Sequence, residues 1–290
     1  MTIRTDLAVE ALETGALQTK DAAQTEEQFE GLRLIRTDIR RGNALPGRAA
    51  GRYLTLSLDA LIQREADAFP RACRAAAHAL GQLTAQLDPH APVLVVGLGN
   101  RAVTPDAIGP LCCQNVLATR HLVERSPAQF RAFRPVAVLA PGVLGTTGVE
   151  SSEVVLGVID RIRPALVIAV DALAARRLSR LMCTVQLTDT GIVPGSGVGN
   201  ARAALTKKEL GVPVLAVGVP TVVDGATLAA DIAEQSGASC EALDDLRTPV
   251  LVTTRDVDQQ VSDAARVIGY GINLFLHPTL DIADIDLFLS

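Results

Sequence analysis

Two aspartates carry the strongest chemical signal in the chain. Asp106 sits between Thr104-Pro105 and Gly109-Pro110, in the turn after the apolar run Val93-Leu94-Val95-Val96. Asp171 directly follows residues 165–170, the most apolar run of the sequence. Taken singly, each has an ordinary reading: a charge near a helix start for Asp106, and a cap for a helix over Ala172-Leu173-Ala174-Ala175-Arg176 for Asp171. Taken together they point further. In a parallel sheet the carboxyl ends of the strands lie along one edge, where two strands can deliver both side chains to one crevice. Two carboxyls that close do not both ionise easily, so one holds a proton while the other accepts one. Such a pair can activate a water and protonate a leaving amine.

Other motifs are weighed against this pair. Gly97-Leu98-Gly99-Asn100 after a strand invites a dinucleotide site, but the third glycine of that fingerprint does not arrive on spacing. The next strand also ends in Leu139-Ala140-Pro141, with no acid for a ribose hydroxyl. Asp189-Thr190-Gly191 has the letters of the pepsin-type triplet in a single copy, and we read Asp189 as the start of a glycine loop. That loop, with Gly191, Gly195, Ser196, Gly197 and Gly199, allows close approach of a ligand or substrate strand, or is a plain connection. Asp224, after Gly218-Val219-Pro220-Thr221-Val222-Val223, either orients the pair from behind or serves as a helix charge. Four scattered histidines and the absence of His/Cys/Asp clustering give no metal spacing, and no Gly-x-Ser-x-Gly follows a strand. Cys112 and Cys113 read as buried packing residues.

The elements that must position these residues come next. From Pro92 onward, apolar runs at 93–96, 136–139, 166–170, 185–187, 214–217 and 250–252 alternate with helical stretches near 110–124, 150–162, 222–235 and 256–276. The pattern predicts an α/β fold with a mainly parallel or mixed twisted sheet and helices on both faces. Residues 58–87 have helical spacing with a break or kink at Pro70. Thr147-x-x-Glu150 has capping-box spacing, His277-Pro278 closes the last long helix, and residues 281–290 read as a tail or edge strand. Residues 1–57, rich in Arg and broken at Gly42, Pro46-Gly47 and Gly51, read as an extended arm with short strands.

Composition narrows the function classes. An apolar content of 48 % over 290 residues supports a large core, while a net charge of −5, 3 % aromatics and no Trp argue against direct nucleic-acid binding. A charge interrupts every apolar stretch before the length of about 18 residues needed for a span, and no signal-peptide run opens the chain, so no membrane partner is expected. Five cysteines without C-x-x-C suit a reducing cytosol. The surplus of 23 Gly and 15 Pro concentrates in turns at 97–110, 141–148, 191–199 and 218–220.

Five motifs in order then resemble one family. They are Gly97-Leu98-Gly99-Asn100 with Thr104-Pro105-Asp106-Ala107-Ile108-Gly109-Pro110; Ala140-Pro141-Gly142-Val143; Asp171-Ala172-Leu173-Ala174-Ala175-Arg176; Asp189-Thr190-Gly191-Ile192 with Pro194-Gly195-Ser196-Gly197-Val198-Gly199-Asn200; and Gly218-Val219-Pro220-Thr221-Val222-Val223-Asp224. From about Ile3 to about Pro278 the chain resembles the germination proteases of endospore-forming bacteria. The Gly-x-Gly-Asn and Asp-x-Ile-Gly elements are also similar to hydrogenase maturation proteases, with their twisted central sheet.

The resemblance implies an endopeptidase that degrades small acid-soluble spore proteins early in germination. It implies synthesis as a self-processing zymogen, assembly as a homotetramer, residence in the cytoplasm of the developing spore or spore core, and no cofactor. Its two catalytic aspartates fall on Asp106 and Asp171, and its activating cleavage falls between Asp6 and Leu7. Thr5-Asp6-Leu7-Ala8-Val9-Glu10 looks like the family's substrate site, so residues 1–6 are expected to be a propeptide within the arm and 58–290 a single catalytic domain. Six residues precede the expected cut, fewer than is usual, and the 234–248 stretch is shorter than the insertion of longer members. Two other readings use the same residues: Asp106 and Asp171 as holders of a divalent ion, or a non-enzymatic protein that binds spore proteins.

Overall fold

The computed structural model describes residues 5–13, 21–40, 49–84, 87–199, 201–237 and 250–290. Part of the expected propeptide, the breaks at Gly42 and Pro46-Gly47, Asn200 and most of the 234–248 stretch lie outside these residues. Within them, nine strands make one mixed sheet. In chain order they are β1 (Ala22–Phe29), β2 (Leu32–Ile39), β3 (Gly51–Ser57), β4 (Val93–Gly97), β5 (Val136–Leu139), β6 (Leu166–Ala175), β7 (Thr184–Thr188), β8 (Val214–Asp224) and β9 (Leu251–Val252). Their spatial order is β1-β2-β3-β7-β8-β6-β4-β5, with β9 added to the end of β8. From β8 to β5 every neighbour is parallel, and from β1 to β8 every neighbour is antiparallel.

The parallel half follows from burial on both faces. One face of β4 and β6, through Val93, Val95, Ile168 and Val170, packs under the helices Ala68–Leu83 and Val257–Leu276. The other, through Leu94, Val96, Val167 and Ala169, packs on Val155 and Ile159 of the helix Ser151–Ile162. Continuous β-branched runs are what such strands need. Residues 22–57, read as an extended arm, carry three strands that widen the same sheet, with β3 laid against β7.

Several local expectations are corrected. β6 and β8 run past the predicted ends, and the helix expected over 172–176 is strand, paired as far as Ala175 with Val223 across a bulge between Leu173 and Ala174. Alanine's helix preference is worth only tenths of a kcal/mol per residue. A ladder against Val219, Val222 and Val223 outweighs it. The 110–124 stretch is two short helices, Ile108–Cys113 and Arg120–Arg125. Pro70 lies in the first turn of its helix, where no intrahelical acceptor is lost, so the chain breaks before it, at Asp67 with φ 55°. The capping box uses Glu150 with Glu153, because the helix Leu144–Thr147 stops at Gly148.

Residues 281–290 are a helix, not a tail or edge strand: Asp281 and Asp284 cap each other's backbone amides and Ile285 is fully buried. Asp281→Ala removes that cap and is expected to cost about 1 kcal/mol. A urea titration should show a lower midpoint at an unchanged slope.

Candidate active site

The loop after β4 is folded around the Asp106 side chain. Asn100 N donates to Asp106 Oδ2 at 2.7 Å and Leu98 N donates to Val170 O at 2.8 Å, which sews the loop to the end of β6. Gly99 has φ +108°, and a Cβ there would overlap the Asp106 carbonyl oxygen and reach its Oδ1 at 3.0 Å, so only glycine fits. The amide that a phosphate-binding turn would present is thus engaged by Asp106 itself. Asp106 closes a single 3₁₀ turn, Thr104–Asp106, ahead of the helix Ile108–Cys113.

Asp171 stands on the neighbouring parallel strand, one residue beyond Val170. It is 5 % exposed, and its Oδ1 accepts from Ala172 N at 2.9 Å. Burial pushes its carboxyl well above the ordinary 3.8, the charge of Asp106 pushes the same way, the Ala172 amide opposes, and the charge of Asp6 adds to the rise. Asp106 is also raised, by burial, against the opposing Asn100 amide. The two carboxyls therefore lie within electrostatic reach of each other, Asp106 in the turn beyond the carboxyl end of β4 and Asp171 within β6, one residue past its last pairing with β4. Among the described residues, no group of three or more His, Cys, Asp or Glu is gathered as a metal cage.

Asp6 and Leu7 occupy the continuation of this edge. Asp6 N donates to Ala174 O at 2.8 Å, and the Asp6 carboxylate accepts from Ala174 N and from Ser196 Oγ, both at 2.9 Å. Gly197 presses on the same group: a Cβ would overlap the Asp6 carboxylate and meet the Ala174 Cβ at 2.8 Å. Gly195, φ +73°, starts this turn, so the glycine loop embraces a segment of its own chain. Leu7 and Ala8 are completely buried, Leu7 among Ile35, Leu173, Ala175, Leu181 and Val223.

The other candidates have local partners. The Asp189 carboxylate receives Arg52 N at 2.8 Å and Arg52 Nε at 2.7 Å, while the rest of that guanidinium caps the carbonyls of Gln82 and Leu83. Asp224 caps the helix Gly225–Ser236 by accepting from Thr227 N at 3.0 Å. Cys112 is fully buried, and burial raises the Cys113 thiol to about 11, so neither is a thiolate at neutral pH.

Two buried polar residues have roles that a motif-based reading does not give. Gln186 lies between Val185 and Leu187 on β7, and its amide bonds the backbone at Asp6 and Ala8. Glu10, 1 % exposed, accepts from Arg176 N at 2.8 Å and Arg177 N at 3.0 Å, and the Thr5 hydroxyl donates to it. A long amide inside an apolar strand was the available signal for Gln186, since a buried polar group requires a partner. Glu10 is the acidic end of the Thr5-to-Glu10 motif, but nothing in that motif shows that it holds the amides of Arg176 and Arg177.

Comparison with known proteins decides the family. A profile described as germination protease matches residues 4–236, which hold Asp6, Asp106, Asp171 and every other candidate above. The chain belongs to the germination protease family. A germination protease of Caldanaerobacter subterraneus subsp. tengcongensis is 41 % identical over 96 % of this chain and 95 % of its own length. That of Clostridium tetani is 36 % identical over 100 % of both, and that of Bacillus subtilis is 44 % identical over 79 % of this chain and 65 % of its own. The resemblance read from the five motifs is thus borne out, and the chain is a peptidase of this family. The mixed sheet with helices on both faces is the α/β fold expected from the sequence.

Burial of Asp171 has a thermodynamic sign. Its folded carboxyl titrates above its unfolded one, so between the two values the unfolded chain releases a proton that the folded chain keeps, and stability falls as pH rises through that window. Asp171→Asn is expected to melt higher than the parent at pH 7, with the gain vanishing as pH drops to about 4. Melting temperatures across that range test it, and an equal or lower value at pH 7 contradicts it.

Proposed function

We propose that Asp106 and Asp171 hydrolyse peptide bonds as an acid and base pair, in an endopeptidase that starts the degradation of small acid-soluble spore proteins at germination. The observation that carries this reading is the coupling of a buried carboxyl on β6 with a half-buried one in the turn after the adjacent parallel strand β4, in a chain of the germination protease family. Asp106, the less shifted of the two, takes a proton from water as the water oxygen bonds to the peptide carbonyl carbon. Asp171, which keeps its proton to higher pH, gives it to the amine nitrogen as the C–N bond breaks. Exchange with solvent restores the starting state.

The N-terminal segment serves as an internal substrate cut between Asp6 and Leu7. Its placement supports this: an acidic side chain held by Ser196 and Ala174, an apolar one in a closed pocket, and a fully buried alanine in the next position. The family resemblance adds homotetrameric assembly and the spore core as the setting. No helix among the described residues is long and apolar enough to cross a membrane.

Asp106→Asn and Asp171→Asn should each slow cleavage of a peptide bearing a Thr-Glu-Ile-Ala site by about 10²- to 10⁴-fold. Self-processing should slow by the same order, with both read by mass spectrometry. Retention of full activity by either variant refutes the paired role. Gly197→Ala places a methyl group in the space of the Asp6 carboxylate, and hydrogen exchange at Leu7 to Glu10 should accelerate while β4 and β6 stay protected.

A further inference from the structure

Gln186 grips both sides of Leu7. Its Nε2 donates to the Asp6 carbonyl oxygen at 2.7 Å and its Oε1 accepts from Ala8 N at 2.6 Å. The partners fix the orientation of the amide, because a carbonyl only accepts and a backbone N–H only donates. The residue is 6 % exposed, so these bonds are shielded from water. The Asp6 carbonyl belongs to the Asp6–Leu7 peptide bond.

The sheet places this grip on the catalytic side. Gln186 on β7 is in register with Gly218 on β8, and Gly218 is in register with Asp171 on β6. Residues in one cross-strand row project to the same face. At ordinary strand spacing the Cα atoms of Gln186 and Asp171 are about 10 Å apart. Gly218 brings no side chain to the middle of the row, and Leu173 lies over it and forms a wall of the Leu7 pocket. One carboxyl and one amide thus stand in one row on the face against which Leu7 packs, and the charge of Asp6 is felt at Asp171.

We propose that Gln186 is a third catalytic residue, which donates a hydrogen bond to the carbonyl oxygen of the bond being cut; this rests on the reading of Asp6–Leu7 as that bond. As the water oxygen bonds to the carbonyl carbon, the C=O π pair moves onto the oxygen, and the Nε2–H bond to it strengthens. When the C–N bond breaks, the pair returns and the carbonyl re-forms. A fixed donor in a water-poor site favours the charged intermediate over the neutral peptide. The acceptor end of the same side chain holds the Ala8 amide, so one residue both polarises the bond and sets its register.

The test is the first-order rate at which the full-length chain yields a product beginning at Leu7, followed by mass spectrometry from acid to neutral pH, with hydrogen exchange of residues 7–10 measured on the same samples. Gln186→Met, of similar length but without the amide, is expected to slow processing by about 10²- to 10³-fold while residues 7–10 remain protected. Gln186→Glu should be equally slow at neutral pH and should approach the parent's rate as pH falls and the carboxyl gains a proton to donate. A Met variant within threefold of the parent, or a slow one whose residues 7–10 have lost protection, overturns the role of Gln186 alone. A Glu variant whose ratio to the parent does not change with pH does the same. A parent chain that is processed at another bond overturns the Asp6–Leu7 reading, and this inference with it.

Discussion

The Asp171 carboxyl is held out of water beside a second carboxyl, and both conditions oppose its charge. Much of the surrounding structure exists to keep it there. The bond from Leu98 N to Val170 O closes the β4 loop onto β6 one residue before the acid, and the Asn100 amide holds the Asp106 carboxylate within that loop. Behind both stand Ile168 and Val170 under two long helices, and Val167 and Ala169 under a third. This carboxyl is held well above the ordinary aspartate range chiefly because its place on β6 leaves it almost no solvent.

Further along β6 the same strand acts as a dock. Its backbone at Ala174 pairs with Asp6, and the two residues just past its end, Arg176 and Arg177, offer their amides to Glu10. Burial of Leu7, Ala8 and Val9 adds apolar area at roughly 25 cal/mol per Å². Arg176 is itself buried, 3.3 Å from Asp231 and paired with Glu234, so the dock is braced from the helix Gly225–Ser236. The N-terminal segment is thus held by main chain, charge and packing at once.

What could be read in advance divides along physical lines. The parallel core was legible because Val93-Leu94-Val95-Val96 and residues 166–170 are buried on both faces and need apolar residues at every position. The closeness of Asp106 and Asp171 was legible because β4 and β6 are parallel neighbours, although Asp171 lies within β6 and not at its end. The extension of β6 was not, since Ala172-Leu173-Ala174-Ala175 favours helix locally and only its β8 partner makes it strand. The last helix was obscured because its start depends on the reciprocal Asp281 and Asp284 cap. Gln186 and the docking role of Glu10 stayed hidden for another reason: the backbone groups they hold are more than 160 residues away in sequence.

The row of Gln186, Gly218 and Asp171 crosses the seam where the sheet changes from antiparallel to parallel. Only three residue pairs, from Gln186 with Gly218 to Thr188 with Ala216, join β7 to β8. A slip of one residue in that short ladder turns every β7 side chain to the opposite face. Gln186 would then point under the helices Ala68–Leu83 and Val257–Leu276, and the Asp6 carbonyl would face Val185 or Leu187. Strand alignment at this seam is therefore a condition for chemistry as well as for folding.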